Sequence, residues 1–156
     1  MPDPNVTRWK QRGLIYIWHY KDNVRNFPGW HFTADNDGCT AMLELCALMQ
    51  QAEYPARKTL QLSNPPDDVV QVVNPGSRWF SASSIEIRYP KDRVAADAWE
   101  MKSVDNKVRL IVGPRKLEEL EDSIRELMEE GVGDYAICPE NDSQDMELWF
   151  WKYRKG

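Results

Sequence analysis

Along the chain the spacing of apolar positions switches between two and roughly 3.6 residues, and the switches mark out its elements. Gly13-Leu14-Ile15-Tyr16-Ile17-Trp18-His19-Tyr20 is rich in aromatic and β-branched residues and predicts a strand. Trp30-His31-Phe32-Thr33, after the turn signal Pro28-Gly29, predicts its hairpin mate. Met42, Leu45, Cys46 and Met49, with Ala41, Leu48 and Ala52 beside them, have the i, i+3, i+4, i+7 spacing of a buried helical stripe. Asp35 or Asp37 caps its start, and it ends before Pro55. Lys58 to Leu62 and Ser84 to Tyr89 alternate as one-sided strands. Between them, Pro65, Pro66, Pro75 and Gly76 surround Val69-Val70-Gln71-Val72-Val73, which predicts a short helix or an irregular crossing. Trp99 to Val104 and Lys107 to Val112 flank Asp105-Asn106, a two-residue hairpin loop. Pro114 then suits the first turn of a helix whose stripe is Leu117, Leu120, Ile124, Leu127 and Met128 and which Gly131 and Gly133 stop. Asp134 to Cys138 and Met146 to Tyr153 predict two last strands.

The order strand, strand, helix, strand, strand thus occurs over residues 13–89 and again over 97–153. The expected fold is α+β: one domain over 1–156, a largely antiparallel sheet of about eight strands, two main helices on one face, and a ββαββ pseudo-repeat as its topology. Leu14 to Tyr20 and Leu148 to Tyr153 are apolar on both faces, so the sheet face away from the helices needs a cover. Three covers fit: the Ser63 to Ser83 segment with Trp79 and Phe80, a second copy of the chain meeting it at Trp149 and Trp151 as a homodimer, or a ligand.

Composition narrows the functional classes. No basic or apolar leader opens the chain and no apolar run approaches the roughly 18 residues of a membrane span, so a soluble, cytoplasmic protein with no membrane association is expected. Cys39, Cys46 and Cys138 are odd in number and lack zinc-site spacing, which predicts free thiols and neither a metal nor another cofactor. A net charge of −5 argues against nucleic acid as a partner. Its distribution says more. Of 25 acidic residues, 12 lie between Glu118 and Glu147 with Arg125 as the only base, which leaves 19 bases against 13 acids in the rest.

Candidate chemistry is sparse. Thr33-Ala34-Asp35-Asn36-Asp37-Gly38 with Glu44 resembles a calcium loop, but Thr33 stands where the first ligand belongs and a strand enters where a helix is required. Gly131-Val132-Gly133-Asp134-Tyr135-Ala136 has dinucleotide spacing in the wrong order, with the helix before the glycines. An enzyme reading places Cys39 in the first turn of the first helix as nucleophile, His31 as base and Asp35 as orienter, in a pocket with Trp30. Packing and capping account for the same residues, and His19 reads as a hydrogen-bonded strand histidine. The favoured expectation is a non-enzymatic binding protein, immunity- or inhibitor-like in charge character, that engages a basic protein partner through Glu118, Glu119, Asp122, Glu126, Glu129 and Glu130. The alternative is the enzyme or small-molecule binder with its pocket near Trp30, His31, Asp35 and Cys39.

Overall fold

The computed structural model describes residues 3–129, 135–139 and 146–151. Glu130, the glycine turn at 131–134, the polar loop over 140–145 and Tyr153 lie outside the described residues. A short helix that the apolar pattern does not signal, α1 (Pro4–Arg8), opens the fold, capped by the Asp3 carboxylate on the Asn5 and Val6 N–H groups. Two strands follow, β1 (Ile15–Tyr20) and β2 (Trp30–Ala34), an antiparallel pair with Trp18 opposite His31. Asp35 caps α2 (Asn36–Gln50), its carboxylate accepting from Gly38 N–H at 2.7 Å and from Leu14 N–H at 3.0 Å. Gly13 makes room for that cap: its φ is +72°, and a Cβ there would lie 2.4 Å from the Asp35 carboxylate.

The chain continues through β3 (Ala56–Gln61), α3 (Asp67–Val73), β4 (Trp79–Ser81) and β5 (Ser84–Tyr89). Then come β6 (Trp99–Val104), β7 (Lys107–Val112), α4 (Pro114–Glu129), β8 (Tyr135–Ile137) and β9 (Leu148–Phe150). The β6–β7 hairpin turns on Asp105 and Asn106, with Asp105 at φ 55°.

One eight-stranded, largely antiparallel sheet is not what forms. The nine described strands make two mixed sheets, ordered β4-β1-β2-β9-β8 and β3-β5-β7-β6. Each has a parallel seam, β2 with β9 and β5 with β7. Hairpin signals report only antiparallel pairs joined by short loops, whereas a parallel pair needs a long crossover and leaves no local mark. The seams join segments that lie far apart in the chain. Each sheet takes the hairpin that opens one half and the strand pair that closes the other, so β1-β2-β9-β8 corresponds to β6-β7-β5-β3 when the halves are exchanged.

One apolar cluster joins the inner faces of both sheets to α2 and α4, which pack on each other. Phe32, Leu45, Leu60, Leu110, Leu117 and Phe150 are within it and almost fully buried. A second, smaller cluster covers the other face of the first sheet, where Val69 and Val70 of α3 pack on Tyr16, Trp18 and Tyr20, with Phe27, Trp79 and Trp151 at its margin. The Ser63 to Ser83 segment is therefore a cover for the two-sided strand β1. No described helix is long and apolar enough to cross a membrane.

Candidate functional site

The acidic residues of α4 are sorted by its packing. Leu117, Leu120, Ile124 and Leu127 face the core at no more than 5% exposure, which turns Glu118, Asp122 and Glu126 outward as an i, i+4, i+8 column with Glu129 beyond it. Compensation is thin. Lys116 reaches Glu119 at 3.0 Å, and Arg125 is shared between Asp122 at 3.2 Å and Glu121 at 3.5 Å. No basic group among the described residues pairs with Glu118, Glu126 or Glu129. Arg115, at the helix's positive end, is turned away from the carboxylates to Asp97 at 2.7 Å.

His31 and Cys39 do not meet. Trp30, Phe32 and Ala34 belong to the helix-side core together with Cys39, while His31 alternates to the opposite face of β2. There His31 is fully buried, stacked on Trp18 at 5.7 Å, with its Nδ1 accepting the Trp151 indole N–H at 2.9 Å. Its Nε2 faces the Phe27 carbonyl at 3.4 Å, so the neutral tautomer with the proton on Nε2 satisfies both contacts. Burial pulls its pKa down to about 3, against a smaller opposing effect of the Phe27 carbonyl. The Cys39 thiol donates to the Ala34 carbonyl at 3.7 Å, and burial, with Asp35 adding to it, pushes its pKa up to about 12. A thiol so placed stays protonated at neutral pH. Asp35 spends its carboxylate on the α2 cap. His19 donates through Nδ1 to the Tyr20 carbonyl at 2.9 Å, and its ring packs on Phe80 and Trp30. No group of three or more His, Cys, Asp or Glu side chains among the described residues could hold a metal ion.

Trp149 and Trp151 lie on the His31 side of β9, half-buried and stacked at 6.3 Å. Trp151 continues the stack onto His31 at 6.1 Å, and the Trp149 indole N–H donates to Glu147 at 3.0 Å. They form the rim of the smaller aromatic cluster.

Sequence reasoning missed the outer face of the second sheet. Strand register there places Arg57 beside Arg88, then Ile111 and Glu100; the next row is Thr59, Glu86, Arg109 and Lys102; the last is Gln61, Ser84, Lys107 and Val104. Glu86 bridges Arg88 and Arg109, and Glu100 pairs with Lys102. Arg57 and Lys107 have no carboxylate partner among the described residues. The surplus of bases outside 118–147 was legible in the chain, but only strand order gathers them onto one face. No family model matches this chain, and no curated protein or solved structure proves similar to it.

Proposed function

We propose that this is a non-enzymatic binding protein whose acidic α4 face engages a basic protein partner. The observation that carries the reading is the outward column Glu118, Asp122, Glu126, with Glu129 beyond it, held on a helix whose other side is locked into the core. Acidic side chains in the last turns of a helix oppose its dipole by a few tenths of a kcal/mol each, a cost that folding alone gives no reason to accept. Aligned on a rigid element, the same charges steer a basic surface toward the helix and set its register. The reading includes Glu119, near the start of α4, whose carboxylate is tied to Lys116 at 3.0 Å. No observation favours the pocket near Trp30, His31, Asp35 and Cys39, because β2 separates its members onto two faces.

The test compares the native chain with Glu118→Lys, Asp122→Lys, Glu126→Lys, each immobilised and exposed to a lysate of its own cells. The expected result is a basic protein captured by the native chain only. Its association should slow as the Debye length shrinks from about 10 Å at 0.1 M salt toward about 3 Å at 1 M. Acidic or neutral partners only, or an association rate indifferent to both salt and the triple variant, would overturn the proposal.

A further inference from the structure

We infer that the groove where β3 begins and β5 ends is a second, independent binding site, and that its ligand is a small phosphate monoester. Tyr54, Pro55 and Pro90 wall this groove and Arg57, Arg88 and Arg93 line it, around a concavity of about 370 Å³. That volume falls in the range of small-molecule sites.

Three features of the groove point to an anion. Arg57 and Arg88 are directly opposed across the β3–β5 pair, a like-charge arrangement that costs stability in an antiparallel ladder. Glu86 relieves only Arg88, and it shares itself with Arg109, so Arg57 and Arg93 face the groove without a carboxylate partner among the described residues. The flanking turns are also tied together. Lys91 sits in the left-handed region at φ 63°, a conformation unfavourable for a residue with a Cβ, and its ammonium donates to the Glu53 carbonyl at 3.0 Å. That bond joins the turn bearing Tyr54 to the turn bearing Arg93. A strained residue that fixes the spacing of two walls is what preorganisation of a site requires.

The donor set selects within the anions. Guanidinium forks match planar or tetrahedral oxyanions, and three of them exceed what a lone carboxylate can use, whereas a phosphate monoester presents three peripheral oxygens and up to two charges. The exposed Tyr54 ring and the two prolines give the rest of such a ligand an apolar wall. No carboxylate is among the described residues that line the groove; Asp92 and Glu118 stand behind it, near enough to the lining residue Tyr89 to raise its phenol pKa beyond what burial does.

Titration calorimetry of the full chain with inorganic phosphate, adenosine monophosphate, adenosine and a short DNA duplex tests the assignment at constant ionic strength. Saturable binding of phosphate, tighter binding of the monophosphate and none of adenosine are expected. Arg57→Gln and Arg93→Gln, both exposed side chains, should each weaken monophosphate binding by about tenfold, the scale of one charge-assisted hydrogen bond. Lys107→Gln, on the same sheet face but outside the groove, and the α4 triple variant should leave it unchanged, which separates this site from the acidic one. The inference is overturned if neither phosphate nor the monophosphate saturates by ~10 mM, far weaker than a millimolar site. It is equally overturned if Lys107→Gln weakens binding as much as the arginine variants, or if the duplex outcompetes the monophosphate.

Discussion

At the scale of single residues, His31 shows how burial decides chemistry. An imidazole with an ordinary pKa near 6.5 is held at about 3 inside the fold, so between those values the unfolded chain binds a proton that the folded chain does not. The sign follows: the stability is fully present above about pH 6.5 and falls as pH drops through the window, by on the order of 4–5 kcal/mol at its lower end. Asp22, held near 2 by the Arg78 guanidinium, enters only at the acid end. Urea denaturation at stepped pH should therefore show stability declining from pH 6.5 to 4.5 in the native chain and a flatter profile in His31→Phe. A flat native profile would contradict the buried neutral imidazole. Asp35 makes the complementary case, since its carboxylate serves two backbone N–H groups. Asp35→Ala should cost about 1–2 kcal/mol in the same measurement, the range of a lost N-cap.

Within a single element, α4 separates folding from recognition by side. Leu120 is buried in the core and Glu126 is exposed on the opposite flank of the same helix. Leu120→Ala should lower stability by about 2–5 kcal/mol, the cost of a core cavity. Glu126→Lys should stay within about 1 kcal/mol, because exposed charges contribute little. Thermal melts of both variants check the contrast, and a Glu126→Lys loss as large as that of Leu120→Ala would mean that the carboxylate has a structural partner. The outer cluster under α3 follows the same logic: Val69 and Val70 are there because β1 presents Tyr16, Trp18 and Tyr20 on the side that α2 and α4 cannot reach.

For the whole molecule, the two sheets interlock the halves of the chain. Hairpin β1–β2 finds its parallel neighbour in β9, and hairpin β6–β7 finds its own in β5. Neither half closes a sheet without the other, and one apolar cluster spans both. Residues 1–93 and 94–156 produced separately should each lack a cooperative unfolding transition, and mixing them should restore native circular dichroism. A cooperative melt from either piece alone would show that the parallel seams are dispensable. Charge is divided at the same scale: the acidic column lies on α4, and a face rich in arginine and lysine covers the outside of the second sheet.

Local pattern by itself determined most elements and their sidedness. The stripe from Met42 to Met49, the stripe from Leu117 to Leu127, the Asp105-Asn106 turn and the two-sided strands at Tyr16 and Trp149 are properties of neighbouring residues, so their spacing in the chain suffices. The acidic column was legible for the same reason, because a helix converts spacing directly into a face. Helix α1 was not, since five residues stabilised by the Asp3 cap carry no apolar period. Tertiary structure alone decided the partition into two sheets, the separation of His31 from Cys39 and the meeting of Arg57, Arg88 and Arg93. The first rests on the parallel seams, the second on which face of β2 the helices cover, and the third on the antiparallel β3–β5 pair; all join segments with no local signal between them.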